Sequence, residues 1–306
     1  RPDEYMRYFQ AISTPIGEKQ SGYKTNYRFY ELAKAKRSHA RLKSAKEIFP
    51  WVQRGPGNVG GRTRSVIVDP DDPTFKTWYA AAVSGGIWKT TDEGKTWTNI
   101  TPDLPNLATN TMAMAPSDHN TIYVGTGEGY GGVGMVGGNG VIKSSDRGLT
   151  WEILASTTMN DNFNFVNKLL IDPANEDIVL AGTNKGIFKS DDGGQTWITV
   201  YEKGYAVQDI IADPTDFSIQ YAGAYGYGIL KSVNRGDAWT SCNNGIGEGG
   251  RFSLAISPQS PNRIYTSVEA VGYESGSETL ETHIYISSDY GLNLSLIHIS
   301  EPTRPY

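Results

Sequence analysis

Short apolar segments alternate with polar turns along most of the chain, in an order that recurs five times. Each unit begins with an apolar segment that ends at a proline, continues with two further apolar segments, and closes in a polar turn. Segments of this length between turn residues predict β-strands. Successive prolines are separated by 46, 57, 41 and 44 residues, at Pro70, Pro116, Pro173, Pro214 and Pro258.

A repeat of about 40–50 residues is typical of one four-stranded blade of a β-propeller. The sequence therefore predicts an all-β propeller with four complete blades and a partial fifth, over residues 51–293. Extra residues lengthen two of the units, at 127–140 in the second and at 269–283 in the fifth. The 35 glycines and 18 tyrosines suit tight turns and rings packed between sheets.

The closing turn of each unit follows the pattern S/T-x-D-x-G-x-T-W. An aspartate here accepts hydrogen bonds from its own turn, glycine supplies a positive φ, and the indole is expected to insert between adjacent sheets. The fourth copy has an asparagine, which still accepts the turn hydrogen bond, and the fifth has Leu294 where tryptophan is expected. The predicted structural residues are Asp92, Gly94, Trp97, Asp146, Gly148, Trp151, Asp192, Gly194, Trp197, Asn234, Gly236, Trp239 and Asp289.

This turn resembles the Asp-box of bacterial-neuraminidase (BNR) repeats, and residues 51–293 resemble sortilin-type BNR-repeat proteins of the "glycosyl hydrolase" kind, secreted by Bacteroidota. The resemblance implies a secreted, periplasmic or cell-surface protein, although no secretion signal is present in the sequence, which begins at Arg1. It also implies that the Asp-boxes lie on outer turns, away from the ligand face. Sortilin receptors, a photosystem II assembly factor and xyloglucanases share such propellers and differ in function, so the resemblance leaves the function open.

The two ends of the chain differ from the repeats. Residues 24–46 carry eight lysines and arginines against Glu31 alone, and they lack glycine and proline. They predict one or two helices in a basic connector over residues 1–50, or a patch for a polyanion or membrane. Residues 51–54 are expected to close the last blade of a propeller with six or seven blades. Residues 294–306 resemble a translated sequencing adapter. We therefore interpret this tail as non-native and exclude it from the predicted fold.

Composition argues against several classes of function. The net charge of −5 gives no indication of a nucleic-acid partner, and no stretch of 18 apolar residues predicts a transmembrane helix. Cys242 is the single cysteine, so no internal disulfide is expected. The four histidines are scattered, without metal-ligand spacing. We expect no metal and no cofactor.

A ligand site is predicted at one mouth of the central channel. The residue six positions before each proline falls at the start of the innermost strand, and Phe252 is the one apolar residue at that position. The polar residues there either form a ring for a peptide, protein or glycan ligand, or are polar because strand starts face solvent. The candidate ligand-binding residues are Arg62, Arg64, Asn110, Asn167, Gln208, Arg251, Glu128 and Tyr130.

No motif dictates catalysis. A glycoside hydrolase needs two carboxyl groups roughly 5–9.5 Å apart, and Glu128 and Glu269 are candidate acids without a defined partner. Resembling xyloglucanases have an aspartate before a turn where Val83 or Ser84 stands here, and the arginine motif of sialidases is absent. The main prediction is an extracytoplasmic binding or scaffold module. The alternatives are a hydrolase of polysaccharides with an unidentified acid pair, and an assembly factor for a membrane complex.

Overall fold

Five antiparallel sheets, each of four strands in chain order, make up the repeats. The computed structural model describes residues 62–102, 104, 106–130, 136–274 and 277–299, and residues 8, 11, 14, 16, 30–35 and 37 before them. The first strands of consecutive sheets contact one another and are the innermost. They are β1 (Thr63–Val68), β5 (Thr109–Met114), β9 (Val166–Asp172), β13 (Val207–Ala212) and β17 (Phe252–Ser257).

The other strands follow outward in each sheet. The second strands are β2 (Trp78–Ala82), β6 (Ile122–Thr126), β10 (Asn175–Thr183), β14 (Gln220–Ala224) and β18 (Ser260–Glu274). The third strands are β3 (Gly86–Thr90), β7 (Val141–Ser144), β11 (Gly186–Ser190), β15 (Gly228–Ser232) and β19 (Ser277–Ser287). The outermost strands are β4 (Thr98–Asn99), β8 (Glu152–Ile153), β12 (Ile198–Tyr201), β16 (Thr240–Ser241) and β20 (Ser295–Ile299).

This arrangement is a β-propeller, and the predicted fold class is confirmed. We number its sheets blade 1 to blade 5. A 3-10 helix, Asp161–Phe163, precedes blade 3. Residues 30–35 and 37 of the predicted N-terminal helices are helical. The predicted strand at 51–54 and most of the basic stretch lie outside the described residues.

The hydrophobic core is divided among the spaces between blades. Four clusters of buried apolar side chains each join one blade to the next. In blade 2, Tyr123 belongs to the cluster with blade 3, whereas its neighbour Val124 belongs to the cluster with blade 1. Both faces of an inner sheet are therefore buried, because successive side chains of a strand point to opposite faces. This explains why the strands are almost continuously apolar.

Blade 5 differs from the predicted partial blade, because it has four strands. Residues 295–299, which the sequence analysis excludes from the fold, pair with β19. Leu294 is buried in the cluster between blades 4 and 5, so an apolar residue fills the place of the expected tryptophan. The non-native origin of residues 294–306 stays a prediction. The extra residues at 269–283 extend β18 and β19 into one long hairpin.

Each closing turn is held by its own acidic or amide side chain. Asp92 accepts hydrogen bonds from Thr96 N at 2.8 Å and from Thr96 Oγ1 at 2.6 Å. In blade 4, Asn234 Oδ1 accepts from Ala238 N at 3.0 Å. These hydrogen bonds lower the pKa of Asp92 from 3.8 to about 2, and the bond from the Thr96 side chain has the largest effect. Corresponding bonds also lower the pKa of the equivalent aspartates, Asp146, Asp192 and Asp289.

A double variant, Asn234→Asp with Ala238→Thr, is expected to make the turn of blade 4 titrate. A folded-state pKa below the unfolded value contributes stability above about pH 4, and this contribution is lost as the pH falls through the folded pKa. The variant should therefore gain free energy of unfolding over the wild type at pH 7, and lose the gain between about pH 4 and pH 2. Urea unfolding at several pH values measures the difference. If the difference in free energy of unfolding between variant and wild type does not vary with pH, the hydrogen bonds to the turn aspartate do not stabilise the fold in this way.

The tryptophans of the closing turns differ in burial, which corrects one expectation. Trp151, Trp197 and Trp239 pack against the cluster shared with the preceding blade. Trp97 is 37% exposed and contacts no preceding blade among the described residues. Val66 on the same blade is also exposed. A closing-turn indole is buried by the blade before it. Trp97 belongs to blade 1, which follows no other blade among the described residues, so its ring stays partly uncovered.

Candidate functional site

A cavity of about 260 Å³ lies where the first strands begin. We call it the mouth pocket, because the innermost strands start at this end of the central channel. Residues from all five blades contribute to its wall. The lining residues are Arg64, Ser65, Asn110, Thr111, Met112, Tyr130, Asn167, Lys168, Gln208, Asp209, Arg251 and Ser253.

A β-bulge places the predicted polar residues at this pocket. In blade 1, Thr63 pairs with Ala82 and Ser65 pairs with Ala81, so Arg64 is the extra residue. Blades 2 to 4 have the same register shift, so the residue at the equivalent position of each first strand is also an extra residue. Bulges re-aim side chains and are common beside functional sites. The extra residues of blades 2 to 4 are Asn110, Asn167 and Gln208.

Blade 5 lacks this bulge, and the position counted back from its proline therefore does not reach the pocket. Phe252 pairs directly with Val268, and Ser253 with Ser267. Phe252 is buried in the cluster between blades 4 and 5, so it does not line the channel mouth. Ser253 lines the pocket in its place. Counting back from the proline misplaces the residue, because blade 5 has its register shift at the other end of the strand, beside Ser257.

Three buried side-chain amides lie at the pocket, and two of them connect neighbouring blades. Asn110 Nδ2 donates to Val166 O at 3.0 Å, and Asn167 Nδ2 donates to Val207 O at 2.9 Å. Asn110, Asn167 and Gln208 are 3%, 2% and 6% exposed. Their side-chain oxygens form no hydrogen bond with the described part of the protein. A buried acceptor without a donor is costly, so these oxygens favour a ligand that donates hydrogen bonds.

Two arginines pack on one tyrosine at the edge of the pocket. The guanidinium carbons of Arg64 and Arg251 lie 4.2 and 4.3 Å from the centre of the Tyr130 ring. Tyr130 OH donates to Asn167 O at 3.2 Å. Burial raises the pKa of the Tyr130 phenol, while the nearby charges of Arg64 and Arg251 act in the opposite direction. The phenol therefore stays neutral and acts as a platform for cations.

Glu128 is buried behind this platform and is held by two arginines. Arg64 donates to its Oε1 from Nε at 3.1 Å and from Nη2 at 2.7 Å. Arg62 donates to its Oε2. A buried carboxylate is stable when it is paired in this way. Arg62 and Glu128 were predicted to bind ligand, but neither lines the pocket; together they orient Arg64.

The remaining charges of the pocket are an ion pair and a single cation. Lys168 Nζ lies 3.2 Å from Asp209 Oδ1, and Asp209 Oδ2 accepts from Leu254 N at 2.9 Å. Arg251 has no carboxylate partner within the described ranges, and its Nε is buried without an acceptor. The sequence analysis missed Lys168 and Asp209. Each directly follows a bulge residue, and only the register of the strands indicates that this position also reaches the pocket.

The described part of the chain shows no cluster of three or more histidine, cysteine or acidic side chains suited to a metal ion. In the same part, none of the helices has the length and apolar character needed to span a membrane.

The side chains that line the pocket can form hydrogen bonds and pair charges with a ligand. Asp209 is the one carboxylate that lines it among these residues, and both of its oxygens are engaged.

Several known proteins are similar to this chain in sequence or in structure. No family model matches the chain. A xyloglucanase of Hypocrea jecorina (strain QM6a) is 28% identical over 56% of this chain and 21% of its own length. A xyloglucanase of Paenibacillus sp is 27% identical, over 59% and 21%. An oligoxyloglucan-reducing end-specific xyloglucanase of Emericella nidulans is 25% identical, over 63% and 25%.

The chain thus spans about a fifth to a quarter of the length of these relatives. Solved structures of the Niastella koreensis GH74 enzyme and of an ancestral GH74 enzyme superpose with TM-scores of 0.60 and 0.59. Both are 20% identical; they cover 76% and 78% of this chain, which covers 38% and 31% of theirs. The structural likeness shows a shared propeller fold. The names of the relatives favour the glycoside hydrolase alternative over a pure binding module, and the sortilin-type assignment stays a prediction.

Proposed function

We propose that the protein is a glycoside hydrolase-like β-propeller that binds a polysaccharide in the mouth pocket. The observation that carries this proposal is the convergence of Asn110, Asn167 and Gln208, whose buried oxygens lack donors, beside the Tyr130 ring. Sugar hydroxyls supply such donors. Concave sites with a few convergent polar groups are typical of small-ligand recognition.

The size of the pocket fits part of a polymer better than an enclosed small molecule. Its volume of about 260 Å³ is below the roughly 300–1,000 Å³ of sites that enclose drug-sized ligands. One sugar unit in the pocket, with the chain continuing across the channel mouth, matches this volume. Structural polysaccharides such as xyloglucan lie outside the cytoplasm. An extracytoplasmic location of the protein is therefore part of the proposal. Support for a glycan over a peptide comes from the xyloglucanase relatives.

Hydrolysis is the second candidate, and the names of the relatives favour it. Two carboxyl groups must flank the scissile bond. In the pocket Asp209 is tied to Lys168 and to Leu254 N, and Glu128 is tied to its arginines. The turn between β2 and β3, where the resembling enzymes have an aspartate, holds no acid. Hydrolysis by this protein therefore requires acids other than Asp209 and Glu128, and we assign the pocket residues the binding role.

Replacing Gln208 with leucine tests the proposal directly. The change keeps the size of the side chain and removes its amide, so it is expected to weaken polysaccharide binding about 3- to 10-fold, the value of one hydrogen bond of roughly 0.5–1.5 kcal/mol. Affinity electrophoresis and calorimetry with xyloglucan and with other neutral and acidic polysaccharides measure the effect. Release of reducing ends from the same polymers tests hydrolysis.

Gln220→Leu is the matched control. Gln220 lies in the same blade, is also buried and also has an unpartnered Oε1. It pairs with Ala212, at the end of the sheet opposite the pocket. Its variant is expected to leave binding unchanged. Equal effects of the two substitutions, or no binding of any polysaccharide by the wild type, would refute the binding role.

A further inference from the structure

We infer that the mouth pocket selects a sugar that carries a carboxylate, so that its ligand is an acidic, uronate-containing glycan. This inference rests on the proposed function and adds the chemical class of the ligand. It depends on Arg251, the cation of the pocket whose charge no acidic side chain balances in the described ranges.

The charges around the pocket do not balance. Arg62 and Arg64 share the single carboxylate of Glu128, and Lys168 is matched by Asp209. Arg251 forms no ion pair among the described contacts. The nearest acid in the backbone pairing is Glu269, whose N donates to Arg251 O at 2.9 Å, but its side chain is exposed to solvent. An anion at Arg251 therefore reduces the excess of positive charge at the mouth.

The orientation of Arg251 is fixed before any ligand binds. Its guanidinium carbon lies 4.3 Å from the centre of the Tyr130 ring, and its Nε is buried. Arg64 lies over the same ring at 4.2 Å, close enough for the two positive charges to repel each other. A guanidinium presents several donors in a plane and matches a carboxylate with two parallel hydrogen bonds. A preorganised arginine of this kind loses little entropy when it binds.

The neighbouring groups distinguish a sugar acid from a simple anion. The unpartnered oxygens of Asn110, Asn167 and Gln208 are acceptors; they repel a bare carboxylate or phosphate but suit hydroxyl donors. A uronate residue carries both kinds of group on one ring, a carboxylate for Arg251 and hydroxyls for the amides. A neutral sugar satisfies the amides and leaves the charge of Arg251 without a counterion.

The test compares each acidic oligosaccharide with its own carboxyl-reduced form. Galacturonate and glucuronate oligosaccharides and their reduced, neutral counterparts are titrated into the wild-type 306-residue chain by calorimetry. At least one acidic oligosaccharide is expected to bind 10-fold or more tightly than its reduced form. Raising the salt concentration should erode this difference, because the added interaction is between charges. This comparison needs no variant and stands even if substitutions at the pocket destabilise the fold.

Arg251→Gln then identifies the group responsible. The variant is expected to lose the preference for the carboxylate, so that it binds the acidic oligosaccharide only as tightly as the reduced one. Arg263→Gln is the control, because Arg263 is an exposed arginine on β18 of the same blade. It is expected to leave both affinities unchanged.

The possible failures are distinguishable. Binding of reduced oligosaccharides or xyloglucan as tightly as of acidic ones, with no effect of Arg251→Gln, overturns the inference and leaves the proposed function standing. Binding of a peptide through its terminal carboxylate, without binding of any oligosaccharide, overturns both. Binding of none of these ligands also overturns both.

Discussion

Trp239→Ala is expected to destabilise the protein by about 3–5 kcal/mol, the cost of removing a large buried aromatic side chain. Trp239 is 8% exposed and belongs to the cluster between blades 3 and 4. Its Nε1 donates to Gly236 O at 3.0 Å, within its own closing turn. The substitution therefore opens a cavity between two blades. For a domain of this size the melting temperature should fall by roughly 10 °C, which differential scanning calorimetry measures.

Trp97→Ala is the matched control, because the two indoles occupy the same place in their repeats. Trp97 is 37% exposed, and both its ring and that of Trp78 lie beside Gly94 of the same closing turn. Its removal exposes no space between blades, and we expect a loss below about 2 kcal/mol. Equal losses from the two substitutions would show that burial by the preceding blade does not determine what these tryptophans contribute.

Tyr130→Ala is expected to weaken glycan binding about 30-fold or more, the effect of truncating a central aromatic contact worth about 2 kcal/mol. The loss exceeds that of one hydrogen bond, because the ring holds both Arg64 and Arg251 in place. Without the ring both guanidinium groups gain freedom, and binding must order them again. Calorimetry with the oligosaccharide that the wild type binds best measures the change.

Tyr130→Phe separates the ring from its hydroxyl. The phenylalanine keeps the ring and loses the hydroxyl, with its bond to Asn167 O and its hydrogen bond with the Asn110 side chain. We expect a decrease in affinity of about fivefold or less. If phenylalanine weakens binding as much as alanine does, the hydroxyl and not the ring is the important group. If neither substitution has an effect, the ligand does not contact this wall of the pocket.

The composition of the pocket suggests how the chain relates to the longer enzymes that it resembles in sequence. The xyloglucanase relatives are four to five times as long as the segment they share with it. A binding role for the described blades is compatible with hydrolysis by a larger protein, since a polysaccharide spans many sugar units. Within the described residues, Glu128 accepts two hydrogen bonds from Arg64 and holds that side chain in place.

Several features of the site depended on tertiary structure. Arg62, Glu128 and Arg251 are far apart in the sequence, and no local pattern links them. Counting back from the proline leads to Phe252 in blade 5, whereas Ser253 lines the pocket, because a bulge is a property of strand pairing and not of one strand. Similarly, nothing in its closing turn distinguishes Trp97 from Trp239; the difference arises from the blade that covers only the second.

The sequence by itself determined the repeat, and with it the propeller. Tight turns depend on local chemistry, so the spacing of Asp92, Gly94 and their equivalents identified the closing turns before any contact between blades was known. The tertiary structure alone decided which polar residues meet at the channel mouth, which tryptophans are covered, and that residues 295–299 complete blade 5. These outcomes depend on strand register and on neighbouring blades, and both are set by contacts between residues distant in the chain.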